Sequence, residues 1–268
     1  MSKLVCVDFG HGGYDVGAVG KNGTYEKNIN MSVGFKVANY LKSVGIDICY
    51  TRDSDVVSWK SNLKQDLGKR MQIANSYNPD IFVSIHCNSF SANSKGFEIF
   101  TTPGQNNSDI LATKIHSRVK STFPDLVYRQ DISDGDVDKE ANFYVIKYAK
   151  CPSTLIEMLF ISNPEEEKLL NSPDFQDKMA FAIAQGIGDY FGIKVEKTKD
   201  KENNKEENNT DMAILQTKNK ANVKVNDKNV FMENYNIDGH IYMQVKDLAN
   251  MFGKTVEWDD KTKTISIK

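Results

Sequence analysis

Apolar residues recur with two different periods along the first 193 positions. Short, nearly continuous apolar runs predict strands: KLVCVDF (3–9), IDICYT (46–51), DIFVSIH (80–86), GFEIFTT (96–102), NFYVI (142–146) and STLIEMLF (153–160). Between them, apolar positions three and four apart predict helices. The stretch 25–45 puts Ile29, Val33, Val37 and Leu41 on one face, with Thr24 as N-cap and Gly45 as the stop. Further helices are predicted over 63–78, ending before Pro79, over 108–123, and over 172–192 as an amphipathic closing helix. Strands alternating with helices predict an α/β fold, a mostly parallel twisted sheet with helices on both faces.

The pattern stops at KVEKTKDKENNKEENNTDM (194–212), which is charged, rich in Asn and almost free of apolar residues. It reads as a flexible tether between a large domain, 1–193, and a small one, 213–268. The small part predicts strands in 222–230, 239–245, 254–260 and 263–268 around one short helix, VKDLANMF (245–252), hence a small α+β domain.

Composition narrows the class. The 268 residues carry a net charge of -2, so the chain is not built for nucleic acid. No apolar run approaches the ~18 residues of a membrane span. The first residues, MSKLVCVDFGHGG, lack the ~7–15-residue apolar core of a secretory signal. The expectation is a protein made in the cytoplasm. Cys6, Cys49, Cys87 and Cys151 are far apart and read as buried or free thiols rather than a disulfide framework.

Ligands of open α/β sheets bind at the carboxyl ends of the strands. Three predicted strands end there on reactive side chains: FGHGG at His11, IFVSIH at His86 and STLIE at Glu157. The first helix opens with Glu26. Two histidines and a carboxylate suit a hydrolytic zinc, and a second carboxylate suits its general base. Each has a plainer reading. His11 could hydrogen-bond within its turn, and Glu26 could answer the helix dipole. Glu157 is harder to explain otherwise, because a carboxylate inside an apolar strand is costly without a partner. The glycines around His11 also suit a phosphate loop, but the lysine and immediate helix of a P-loop are missing. No short-spaced zinc motif is present, so the residues alone leave these readings open.

The motifs taken in order carry a resemblance. VCVDFGHGGYDVGAVG, then Glu26, then RMQIANSYNPDIFVSIHCNS, GFEIF and ANFYVI…CPSTLIEMLFISNPEEEKLL resemble the zinc-dependent N-acetylmuramoyl-L-alanine amidases of the amidase 3 type, over residues 1–191. The resemblance implies Zn2+ held by His11, Glu26 and His86, with Glu157 as the catalytic glutamate. It implies cleavage of the amide between N-acetylmuramic acid and L-alanine in peptidoglycan. Phe9 stands where the family usually has proline, and Leu159 where it usually has glycine. Both bear on the pocket wall rather than on zinc. Arg70 and Asn75 match family positions on the second helix, and Arg70 is assigned to substrate binding. Asn88 and Asn142 are candidate substrate contacts or local backbone caps. The stretch 238–267 resembles the small domain named after the copper amine oxidase N-terminal region. It has no copper ligand set, and wall binding or self-association is expected of it. Trp258 and Tyr242 there read as core or strand-pair aromatics rather than a sugar platform.

Three further residue groups are expected to be silent. DISDGDVDKEANFY (131–144) places acids at positions 1, 3 and 5 of a calcium loop counted from Asp134, but Lys139 stands where glycine belongs and Val145 where glutamate belongs. It reads as an acidic surface loop. His116 and His240 read as surface residues, and Cys87 as buried rather than a ligand. The whole predicts a peptidoglycan hydrolase of a Gram-positive host, a phage endolysin released to the wall through a phage pore. The alternatives are a bacterial autolysin, a zinc peptidase cutting within the stem peptide, and an inactive wall-binding protein.

Overall fold

The computed structural model describes residues 2–57, 59, 62–197, 222–225, 228–231, 255–259 and 264–267. It divides into two compact units, Met1–Thr198 and Lys199–Lys268. The first unit runs β1 (Leu4–Phe9), α1 (Glu26–Lys42), β2 (Asp47–Tyr50), α2 (Leu63–Ser76), β3 (Ile81–Asn88), β4 (Glu98–Thr101), α3 (Asn107–Thr122), β5 (Lys139–Glu140), α4 (Tyr144–Lys147), β6 (Ser153–Phe160), α5 (Pro164–Leu170) and α6 (Pro173–Phe191).

Its six strands lie in the order β2-β1-β3-β6-β4-β5. The first four are mutually parallel, while β4 runs antiparallel to β6 and carries β5 in its own direction. The sheet is therefore mixed, and mostly parallel as expected. Alternate side chains point to opposite faces of a strand, and both faces are buried here. Val5, Val7, Ile81, Val83, Ile85, Ile156 and Met158 pack with α1, α3 and α6. Cys6, Phe82 and Leu155 pack with Met71 and Ala74 of α2 and with Val145 and Ile146 of α4. Fully burying one such aliphatic side chain contributes about 1.5–3 kcal/mol.

Four local expectations change. NFYVI, expected as a strand, supplies the one-turn helix α4. The first helix has Tyr25 at its N-cap with no side-chain bond, not Thr24; the Glu26 and Lys27 amides instead donate to Ala18 and Val16 carbonyls. Helix α5, with Asn163 as N-cap and Pro164 at its start, was not expected. The packing of the large unit also runs past residue 193: Val195 is buried and Lys197 Nζ lies 2.7 Å from Asp177 Oδ2.

The second unit shows four strands, β7 (Asn222–Val225), β8 (Lys228–Phe231), β9 (Val256–Asp259) and β10 (Thr264–Ile267), ordered β8-β7-β10-β9. The expected strand 239–245, the expected helix 245–252, His240 and Tyr242 lie outside the described residues, as does most of the expected tether. All four cysteines are free, Cys87 buried as expected. No described helix is long and apolar enough to cross a membrane.

Candidate active site

The strand order switches between β1 and β3: from β1 the chain adds β2 on one side, then crosses to β3 and later β6 on the other. The crevice at such a switch is where α/β sheets bind ligands. The loop after β1 enters it sharply. His11 itself has φ 62°, and Gly12 and Gly13 follow with φ 134° and 59°. Gly10 is needed for a different reason: a Cβ there would lie 2.1 Å from the His86 ring. The glycines thus let the backbone pass close to one imidazole while aiming the other.

The aim converges on Glu26. His11 Nε2 lies 3.1 Å from Glu26 Oε2, and His86 Nδ1 lies 3.0 Å from Glu26 Oε1. Donor atoms of His11, Glu26 and His86 all fall within 4.8 Å of one another, the spacing of a metal-holding set. The far side of each group is also held. His11 Nδ1 lies 2.8 Å from Asp15 Oδ2, whose other oxygen accepts from the Gly17 amide. Glu26 accepts from the Ala18 and Cys87 amides and from Asn30 Nδ2.

Charge is polarised across the set. Burial disfavours the His11 imidazolium, but the carboxylates of Glu26 and Asp15 outweigh it and raise the His11 pKa to about 9. Burial likewise opposes the Glu26 carboxylate, yet the two imidazoles hold its pKa far below the usual range. A buried anion between two nitrogens is what a cation would find favourable here.

Glu157 stands beside this set. It pairs in register with His86 across β3 and β6, and with Glu98 across β6 and β4. Its Oε2 is buried with no hydrogen-bond partner among the described residues. Burial first, then the negative charges of Glu26 and Glu98, push its pKa well above the carboxylate norm. The strands run on past both residues, to Asn88 and Phe160, with an irregularity between His86 and Asn88. His86 and Glu157 therefore lie just inside the strand ends rather than at them.

Glu98, not singled out by sequence reasoning, is buried and accepts from Arg129 Nε, Lys139 Nζ and Asn88 Nδ2. Asn88 thus reaches the site edge through Glu98. Asn142 is exposed between β5 and α4, with no hydrogen bond to the cluster among the described residues.

Arg70 departs from expectation. It is 1 % exposed, its Nε and Nη1 lie 2.9 Å from Asp66 and Asp8, and it donates to the carbonyls of Phe9 and His11. It underpins the His11 loop, and its guanidinium is spent on protein partners. Asn75 likewise serves structure, bonding the Tyr148 carbonyl and the Lys150 amide. His116 is buried on α3 against the Phe97 and Tyr128 rings, not at the surface.

Known proteins share this arrangement of chain. The family profile described as N-acetylmuramoyl-L-alanine amidase matches residues 5–189, and that of the copper amine oxidase N-terminal domain matches residues 163–267. The N-acetylmuramoyl-L-alanine amidase AmiA of Escherichia coli is 31% identical over 227 residues, covering 70% of this chain and 76% of the relative. The endolysin of Bacillus phage SPP1 is 34% identical over 203 residues, covering 72% and 68%. Among solved structures, the CwlD amidase of Clostridioides difficile, determined in complex with the GerS lipoprotein, superposes with a TM-score of 0.65 at 32% identity, covering 71% of this chain and 99% of that one. With the profile spanning more than half its length, the chain belongs to the N-acetylmuramoyl-L-alanine amidase family of peptidoglycan hydrolases, and carries a C-terminal copper amine oxidase N-terminal-like domain.

Proposed function

We propose that His11, Glu26 and His86 hold a zinc ion, and that Glu157 is the proton-transfer group for cleaving the amide between N-acetylmuramic acid and L-alanine. The observation that carries this reading is the juxtaposition of a three-donor set with the half-buried Glu157, whose Oε2 has no hydrogen-bond partner among the described residues. The donors fit the ion: two imidazole nitrogens and one carboxylate oxygen are a hydrolytic zinc set that leaves a position for water. Bound there, zinc would acidify that water and polarise the scissile carbonyl.

The chain's own residues do the rest. Asp15 accepts the His11 Nδ1 proton, which leaves Nε2 facing the ion. Glu157 takes the proton of the attacking water as its oxygen bonds the carbonyl carbon. It then delivers that proton to the L-alanine nitrogen as the C–N bond breaks. A raised pKa suits a group that must both accept and release a proton. Asn88 and Asn142 are placed in this reading at the substrate rim.

The reaction is the one that phage endolysins and bacterial wall amidases of this family have in common, and a Gram-positive wall is the proposed substrate. The second unit is proposed as a wall tether, which would raise the local concentration of the enzyme at its polymer. Deleting 199–268 should then reduce pelleting with cell walls; unchanged pelleting with a changed oligomeric state would make it a self-association module.

Mass spectrometry of digested peptidoglycan, with and without a zinc chelator, tests the bond assignment. Whole stem peptides bearing free L-alanine amino termini, lost on chelation, are expected. New termini inside the stem peptide would make the enzyme a peptidase. No cleavage of several wall types by the folded, zinc-loaded protein would make it a binding protein.

A further inference from the structure

The acidic stretch 131–144 is not all surface. Asp134 is exposed, but Asp138 is 1 % exposed and Asp109, at the third position of α3, is 5 % exposed. Asp109, Asp136 and Asp138 each bring an oxygen within 4.8 Å of the others. An oxygen spread up to 4.8 Å fits around a cation held at about 2.3–2.6 Å from each ligand, the range of calcium.

The cluster's hydrogen bonding is incomplete. Thr101 Oγ1 lies 3.0 Å from Asp109 Oδ1 and 2.6 Å from Asp138 Oδ2, yet a hydroxyl has one proton to give. Asp109 Oδ2 accepts the Asn106 amide in a capping box, and Asp136 Oδ2 accepts from Gln105 Nε2. Asp136 Oδ1 and Asp138 Oδ1 are buried with no hydrogen-bond partner among the described residues. Among the described residues no lysine or arginine pairs with any of the three. The nearest base in sequence, Lys139, turns to Glu98. A buried acidic group left like this is costly unless a cation or a shared proton completes it.

We propose that Asp109, Asp136 and Asp138, with the Thr101 hydroxyl beside them, form a binding site for a hard divalent cation of the calcium type, separate from the His11–Glu26–His86 set. The site ties the end of β4 and the start of α3 to the loop that leads into β5. That loop carries Lys139, whose Nζ lies 3.1 Å from Glu98 Oε1. The cation would therefore fix the strand edge flanking Glu157 without touching the reacting groups.

The test is calorimetric titration of CaCl2 into the full chain, stripped of metals and reloaded with zinc, with thermal unfolding alongside. One calcium per chain is expected, and at a hundredfold excess over Kd the Tm should rise by about 5–10 °C. Asp138→Asn should weaken binding at least tenfold. Asp136→Asn, at a less buried position, should do the same and guards against misfolding of the first variant. MgCl2 in place of CaCl2 should bind more weakly, because magnesium needs a tighter octahedral cage. No calcium binding and no Tm shift up to millimolar CaCl2 would overturn the site. Binding that survives in both variants would overturn it equally. Asp136 and Asp138 would then share a proton, consistent with the Asp138 pKa being raised to about 7 by burial and by Asp136.

Discussion

His86 and Glu157 are directly paired residues of the neighbouring parallel strands β3 and β6. The pairing fixes their relative position through the backbone register of two strands rather than through side-chain contacts. It puts an imidazole of the donor set beside a carboxyl whose Oε2 has no hydrogen-bond partner among the described residues.

The Asp15 contact gives a first prediction. Asp15 holds His11 Nδ1 at 2.8 Å, so Asp15→Asn should loosen the orientation of Nε2. Zinc affinity should fall about 10–100-fold with the fold intact. Competition with a chromophoric chelator measures it, and unchanged affinity would remove Asp15 from the metal site.

Gly10 gives a second. Its added Cβ would meet His86 Cε1 at 2.1 Å and Nε2 at 2.4 Å, so Gly10→Ala should push the ring aside. Zinc content after dialysis should drop well below one per chain while circular dichroism stays native. Full zinc occupancy would show that the ring has room to move.

Arg70 gives a third. Arg70→Ala would take the ion-pair partner from buried Asp8 and Asp66, leaving Asp8 with Ser84 and Thr51 as donors and Asp66 with the Trp59 indole. A loss of about 3–5 kcal/mol in urea unfolding is expected. A loss of substrate affinity at unchanged stability would instead restore Arg70 to the substrate.

A pH effect follows from His116. Burial, then Lys120, lowers its pKa from 6.5 to about 4. Between those values the unfolded chain binds a proton that the folded one refuses, so stability is full above pH 6.5 and declines as pH falls toward 4. His116→Leu should shrink the difference in urea midpoint between pH 7 and pH 5. An unchanged difference would place the acid sensitivity elsewhere.

The sequence was informative where period and burial agreed. Val5, Val7 and Phe9 against Cys6 mark a strand buried on both faces, and Ile29, Val33, Val37 and Leu41 mark one helix face. It misled where a run was too short to show a period. NFYVI has the residues of a strand but only five of them, and the backbone takes a helical turn at Tyr144–Lys147. Helix α5 carried its own signals in Asn163, Pro164 and three acids in the first turn. Arg70 was also within reach. Asp8 lies in the apolar run LVCVDF just as Glu157 lies in STLIEMLF, and a buried carboxylate asks for a partner in both. Asp8 found Arg70, whereas Glu157 was left open. His116 sits four residues after Ala112 and three before Val119, on the buried face of α3. The acidic loop could not be read from spacing, because Asp109 reaches it from another element.

In the proposed mechanism three residues hold zinc while a fourth moves the proton. Zinc content and stem-peptide release, measured together on wild type and Glu157→Gln, separate those roles. One zinc per chain is expected in both proteins, with release lowered about 10²–10⁴-fold in the variant. Near-normal release by Glu157→Gln, or loss of its zinc, would contradict the mechanism.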